Sequence, residues 1–598
     1  MAEKTLPLRS EVPKEHTWNA ESVFADMQAY EAEFAAVVAE IEKAKPYQGT
    51  LANGAARLVE WMEFVETLVL RGIKLYFYAT MQQACNGEDQ AANALVGQAG
   101  GMVGQLFGTI AFSDPELIAI GYETLKAWMG QEDRLKIYAH SFDNLFRQQA
   151  HVRSAEVEEL LGMLSDPFGS ISNTFEMLTS VDMDFRAASG EKTVAQSTID
   201  KLLVDPDREV RRTGWENYAD EYLAHKNTLS ASYSALIKSD VFSARARHHA
   251  SSLEASLFAN NIPMSVYENL LATFKKNLPI WHRYWRARRK ALKVDQLHPY
   301  DIWAPLTSAE PKVSFEQAME WISEGLAPLG EEYVSTMRKG VLEQRWVDRY
   351  PNKGKRQGAF SFGLKGTFPV IMMSYQGDLG SMSTLAHELG HSMHSYFTWQ
   401  TQPNVYSDYS LFVAEVASNF NQAMTRAYLF NKIEDREFQM ALIQEAMDNF
   451  HRYFFIMPTL ARFEREAHSR VEQGQGLTSD SLIDLMADLF EEGYGGEMAI
   501  DRERIGITWA QFGHLYSPFY VYQYATGISG AHALAGRILA GEPNAASDYV
   551  NKFLKVGSSK YALEVMQDAG VDLSTPEPVE AAFKVLEGLV DRLEKLVE

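Results

Sequence analysis

The run STLAHELGHSMHSYF, Ser383 to Phe397, places three histidines and one glutamate in the eight residues from His387 to His394, in a chain with fifteen histidines in 598 residues. On a helix of 3.6 residues per turn, positions four apart lie about 40° apart around the axis. His387 and His391 therefore project from one face, one turn apart, as a two-point clamp for a zinc ion. Glu388 sits about 100° round from His387. There its carboxylate can reach a water activated by the metal, the position of a general base rather than of a ligand. The chemistry this spacing supports is hydrolysis of a peptide bond. The metal polarises the scissile carbonyl, and Glu388 takes a proton and passes it to the leaving amine.

A hydrolytic zinc needs a third protein ligand and an open position. In SDYSLFVAEVASNFNQAMTRAYLF, Glu415 is set among Phe412, Val413, Ala414, Val416 and Ala417 on a strong helical pattern. A carboxylate on such a face is costly to bury unless paired or bound to a metal, so Glu415 is the expected third ligand. His394 shares the side of the helix with His387 and His391, but a fourth ligand would close the site. It is read as a neighbour that shapes the site.

A second constellation lies in WAQFGHLYSPFYVYQYATG, where His514, Tyr516, Tyr520, Tyr522 and Tyr524 fall within eleven residues. Helical spacing puts Tyr520 and Tyr524 on one face. Attack on a peptide carbonyl builds an oxyanion, and fixed O–H or N–H donors near it lower the barrier by about 3 kcal/mol each. Upstream, KGKRQGAFSFGLKGTFPVIMMSYQGD reads as small strands broken by Gly354, Gly358, Gly363, Gly366 and Gly377. An extended peptide can be held by main-chain hydrogen bonds to a strand edge, which makes Gly358, Ala359 and Phe360 candidate substrate-binding residues.

The elements that must position these groups are mostly amphipathic helices. From Asp205, read as an N-cap with Pro206 at the first helical position, apolar residues return every three to four positions, and the same texture recurs along the chain. The stretch before His387 is the clearest strand cluster, so the expected fold is mainly α with one small sheet. One interruption, ASGEKTVAQSTIDKLLVDPD near 190 to 205, divides an N-terminal helical domain (1–200) from a catalytic domain (201–598).

Acidic residues outnumber basic ones by 79 to 56, and the formal charge of −23 argues against a nucleic-acid partner. The lone Cys85 can make no intramolecular disulfide, the N-terminus has no apolar signal segment, and no run of about 18 uninterrupted apolar residues appears. These features point to a cytoplasmic protein with no membrane partner and leave the oligomeric state open.

The order GKRQGAFSFG, PVIMMSYQGDLGSMSTLAHELGHSMHSYF, FVAEVASNFNQ and FGHLYSPFYVYQYATG resembles the M3 metallopeptidases, most closely their oligoendopeptidase F branch, and the likeness spans roughly residues 115 to 590. The resemblance implies a two-lobed helical zincin with a deep substrate channel, one zinc per chain, and endopeptidase action on short, unstructured peptides. Carried over by motif, His387, His391 and Glu415 match the family's zinc ligands and Glu388 its catalytic base. His514, Tyr522 and Tyr524 match its C-terminal His/Tyr motif, with Tyr516 and Tyr520 as further substrate contacts. One departure stands out. Many zinc peptidases place an aspartate four residues after the ligand glutamate, and here that position is Asn419, so the histidines must be oriented by other groups. An exo-acting relative would need a cation such as Lys355, Arg356 or Arg426 for the substrate's C-terminal carboxylate. A non-catalytic peptide-binding relative would have lost Glu388 or a ligand, and all four are present.

Overall fold

The computed structural model describes residues 6–598, except the side chains of Ala155 and Glu159. It is mainly helical with one three-stranded sheet. The chain forms two compact units built from interleaved segments. The first unit takes Met1–Ala150, Lys312–Leu429 and Arg537–Gly570, and the second His151–Pro311, Phe430–Gly536 and Val571–Glu598. The interruption near 190 to 205 lies inside the second unit, where it holds a short helix, Ile199–Leu203.

In the first unit a long helix, Ala55–Cys85, buries one face with Leu68, Leu75, Met81 and Cys85, against which Met102 and Leu106 of the helix Gln90–Ile110 pack. Gly72 lets the two approach, since a Cβ there would lie 2.8 Å from Leu106. By length and composition, Gln90–Ile120 is the one described stretch long and apolar enough to cross a membrane. In the fold it is two helices, broken after Ile110 and resumed at Ser113.

The sheet also belongs to the first unit. Its strands are β1 (Val347–Asp348), β2 (Phe360–Phe362) and β3 (Val370–Met372), in the order β1-β3-β2. β1 runs parallel to β3, pairing Val347 with Ile371, and β2 runs antiparallel, pairing Ser361 with Ile371. β3 is central and fully buried, and its Val370 and Met372 join the core of Leu75 and Met81. β2 is an edge strand. Two helices follow the sheet: α1 (Leu379–Thr401) and α2 (Leu411–Lys432).

The second unit is centred on aromatic residues, with Trp281 and Trp285 packed around Phe455 and Tyr494. It carries α3 (Met457–Glu472) and the start of α4 (Tyr522–Leu539). One expectation from the sequence is corrected here. The N-cap of the helix Arg208–Ala224 is Asp207, which accepts the Glu209 N–H at 2.9 Å, while Asp205 accepts the Asp207 N–H in a turn just before it. Two aspartates flank Pro206, and either could cap; the turn built by the first hands the cap to the second.

Candidate metal centre

α1 starts at Asp378, whose side chain accepts the Ser381 N–H at 2.7 Å and caps the helix. From there one helical face reads Ser383, His387, His391 at four-residue spacing. The facing stripe of α2 reads Glu415, Ser418, Gln422, because seven residues fall only about 20° short of two full turns. The helices cross in backbone contact. A Cβ on Gly390 would sit 2.3 Å from the Ala417 carbonyl oxygen and 2.6 Å from the Ser418 Cα. The glycine inside HELGH is what brings Glu415 up to the histidines.

Ligand atoms of His387, His391 and Glu415 all lie within 4.8 Å of one another, and no other group of this kind occurs among the described residues. His387 Nε2 is 3.6 Å from Glu415 Oε2, and the two imidazoles stand at 83° with centroids 4.9 Å apart. A tetrahedral ion with bonds of about 2.1 Å separates its ligand atoms by about 3.4 Å, so the three donors fit one cation and leave a fourth position. Burial pulls the His391 pKa down to about 4, which keeps the imidazole in the neutral form that a metal requires.

Glu388 is buried, and its Oε2 has no hydrogen-bond partner. Burial pushes its pKa up to about 7, with His387 and the Ser361 backbone opposing the rise and Glu415 adding to it. A buried carboxylate oxygen without a partner is costly unless a ligand meets it. Its place beside a two-histidine, one-glutamate cluster fits a metal centre whose bound water or substrate supplies that partner.

The groups that orient the cluster were not legible as such in the sequence. His387 Nδ1 donates to Gln422 Oε1 at 3.1 Å, which points Nε2 toward Glu415. Gln422 is fixed in turn by donating Nε2–H to Ser383 Oγ at 2.8 Å, where Arg426 Nη2 also donates at 3.3 Å. Ser418 Oγ donates to Glu415 Oε2 at 3.0 Å. Asn419 instead turns back along α2 to donate to the Glu415 main-chain oxygen at 2.8 Å. The offset of seven from Glu415 to Gln422 was the available signal. His394 is buried and stacked on Tyr409, with centroids 3.7 Å apart, and on Phe553.

β2 is tied to α1 by a 2.8 Å hydrogen bond between the hydroxyls of Ser361 and Ser392. This sets Gly358, Ala359 and Phe360 at or beside the edge strand, in the same unit as the metal cluster. Lys355 is buried in an ion pair with Asp348 at 2.6 Å, and the Arg356 guanidinium lies over the Phe360 ring. Arg426 is buried and bonds Ser383.

The His/Tyr constellation belongs to the second unit and divides within it. His514, Tyr520 and Tyr524 cluster: the two tyrosine hydroxyls are 3.0 Å apart, and the His514 ring is 6.0 Å from each tyrosine ring. Tyr516 stacks on Phe175 and donates to Ser232 Oγ, and Tyr522 is buried edge-on against Tyr267.

A helical fold with a small sheet beside an HExxH helix, and a glutamate on the helix that follows brought up to its two histidines, has the features of a metallopeptidase. The profile of Peptidase family M3 matches residues 201–585 and that of Oligopeptidase F residues 116–185. The chain belongs to peptidase family M3, and its activity is that of a metalloendopeptidase. It is 39% identical over 597 residues to Oligopeptidase PepF of Bacillus subtilis, covering 99% of this chain and 89% of that one. It is 34% identical to Group B oligopeptidase PepB of Streptococcus agalactiae, covering 98% of each. The crystal structure of oligoendopeptidase-F from Enterococcus faecium superposes with a TM-score of 0.75 at 30% identity, covering 95% of this chain and 99% of that one. A crystal structure from Chlamydophila abortus reaches a TM-score of 0.90 at 29% identity, covering 99% and 100%.

Proposed function

We propose that this protein is a zinc-dependent endopeptidase that cuts internal bonds of short, unstructured peptides, with His387, His391 and Glu415 as the ligands. The observation that carries the reading is the unpartnered Oε2 of buried Glu388 beside those three donors. When bound there, zinc would supply Lewis acidity toward the scissile carbonyl and lower the pKa of a water to ~7.

The protein's own groups do the rest. Glu388 takes the proton of the attacking water on its carboxylate and returns it to the leaving amine nitrogen. Gln422 holds His387 as an Nδ1–H donor, so its Nε2 lone pair is the one offered to the metal. The edge of β2 at Phe360, with Gly358 and Ala359 just before it, pairs with the extended substrate main chain without reading its side chains. His514, Tyr520 and Tyr524 are read as the O–H and N–H donors for the developing oxyanion, supported by their motif and by their clustering. In this reading Tyr516 and Tyr522 pack the core that holds them. The names of the oligopeptidase relatives favour peptides over folded proteins as substrates. The single buried Cys85 suits a reducing compartment, the cytoplasm.

The test is mass spectrometry of a peptide of roughly ten residues blocked at both ends, incubated with metal-stripped protein before and after adding zinc. Internal cuts that appear only with zinc are expected. Trimming of an unblocked peptide alone would make the enzyme an exopeptidase.

A further inference from the structure

The turn that delivers Tyr520 is strained. Ser517, Pro518, Phe519 and Tyr520 form a β-turn closed by Tyr520 N–H to the Ser517 oxygen at 3.2 Å. Phe519 has φ of 53°, a left-handed value that glycine adopts at no cost and a bulky residue does not. Such a conformation persists only where the surroundings over-determine it. Here the Pro518–Phe519 peptide is held on both sides: Ser256 Oγ donates to the Pro518 oxygen at 3.1 Å, and a buried carboxyl group takes its N–H. Glu464 of α3, fully buried, accepts the Phe519 N–H on Oε1 at 2.7 Å. The Phe519 ring packs 4.6 Å from His468, one helical turn further along α3, and 6.1 Å from Tyr267. His468 is itself pinned, with Nδ1 on the Glu464 main-chain oxygen and Nε2 on Asp240 Oδ2 at 3.2 Å.

A charged glutamate at such a depth with one hydrogen bond would be expensive. Burial pushes the Glu464 pKa up to about 8, with Asp240 adding to the rise and His468 and the Phe519 N–H opposing it, which favours the neutral acid. An apolar side chain of the same size would fill the space at less cost. What the carboxyl adds is an acceptor for the one N–H whose orientation defines the turn.

We propose that Glu464 is a positioning residue for the His514, Tyr520 and Tyr524 cluster: by accepting the Phe519 N–H it holds the Pro518-Phe519 turn left-handed and so sets where the Tyr520 hydroxyl meets that of Tyr524. The inference rests on the reading of that cluster as the oxyanion donors. Tyr520 leaves the turn directly after Phe519, and Tyr524 lies on the first turn of α4, stacked on Tyr453 with centroids 5.2 Å apart. A turn that relaxed to an ordinary φ would swing Tyr520 away from a partner already fixed.

The experiment is steady-state kinetics on a blocked peptide with Glu464→Met, Glu464→Gln, Tyr520→Phe, Tyr524→Phe and the Glu464→Met/Tyr520→Phe double variant, each assayed for metal content. Glu464→Gln keeps a neutral acceptor and is expected to stay near the wild-type rate. Glu464→Met is expected to lower kcat by about ten- to a hundredfold, as an ångström of misplacement does, with KM little changed and metal retained. The double variant should be no slower than the slower single, because both changes remove one Tyr520 donor. A folded, metal-loaded Glu464→Met with unchanged kcat, or a double variant whose losses multiply, overturns the proposal. If both tyrosine variants keep full kcat, the donor reading has failed instead, and the proposal falls with it for that separate reason. Should Glu464→Met not fold, amide hydrogen exchange of the wild-type protein decides. Phe519 protected as strongly as α3 supports the anchor, and exchange at open-loop rates overturns it.

Discussion

His387 and Gln422 are joined across two helices: the imidazole Nδ1 donates to the amide oxygen at 3.1 Å, and Gln422 is held from behind by Ser383. The bond selects the tautomer that leaves Nε2 for the metal. Removing such a partner typically weakens metal binding about 10- to 100-fold. Gln422→Leu should therefore bind zinc more weakly by that factor in a competition titration with a chromophoric chelator. Gln422→Glu, which still accepts from Nδ1, should keep near-normal affinity. Equal affinity for all three proteins would leave the tautomer to other contacts.

Gly390 tests the helix crossing. A methyl group there meets the Ala417 carbonyl and the Ser418 Cα at distances no pair of atoms tolerates, and both are backbone, so α2 must move as a body. Gly390→Ala should destabilise the protein by about 1–3 kcal/mol or more, the usual range for overpacking, and separate Glu415 from the histidines. A lower melting temperature together with reduced zinc content is the expected pair of readings. A variant that melts lower yet binds zinc normally would show that the site adapts to the crossing.

The two variants also mark what the sequence made legible. His387, His391 and Glu415 could be selected because each carries a local signal: a spacing of four, and a charge on an apolar stripe. The structure brings those three together. Gln422 carries only its offset of seven from Glu415, which gains meaning when α1 and α2 cross and bring it to His387, 35 residues away in the chain. The strands around Phe360 and Val370 were visible through their glycine punctuation, but β1 was not, since two residues cannot show a period. Tyr520 and Tyr524 were assigned to one face by helical spacing. They do meet, although α4 begins only at Tyr522, because the strained turn at Phe519 does the work that a helix was expected to do. The interleaving of the two units was hidden altogether, as it depends on which distant segments pack and not on any break in local pattern.

Glu388→Gln separates base from scaffold. The amide is isosteric, so the two histidines and Glu415 should still hold zinc, and the protein should bind it as the wild type does. Without a proton acceptor, turnover should fall by about 10²- to 10⁴-fold. Zinc content by atomic absorption and kcat on a blocked peptide give the two readings. Turnover within a few-fold of wild type would remove Glu388 as the base.

Asp301 governs the acid limit of stability. It is fully buried in the second unit and accepts hydrogen bonds from Arg208, at 3.0 and 2.8 Å, from Arg211 at 3.1 Å, and from the His298 N–H at 3.1 Å. Burial alone would raise its pKa, but the two guanidiniums and the backbone donor outweigh burial and hold the carboxyl below its ordinary value. The folded state thus binds this proton less readily than the unfolded chain. The stabilisation is present in full above the unfolded value of about 3.9, and it is lost as pH falls through the lower folded-state value. Asp301→Asn should remove that part of the acid limb and leave Arg211 buried without its counter-charge, costing about 3–5 kcal/mol at neutral pH. Urea unfolding midpoints from about pH 7 down to about pH 2.5 would show the wild-type curve falling toward the variant's at the acid end. Parallel curves would place the acid sensitivity in another carboxylate.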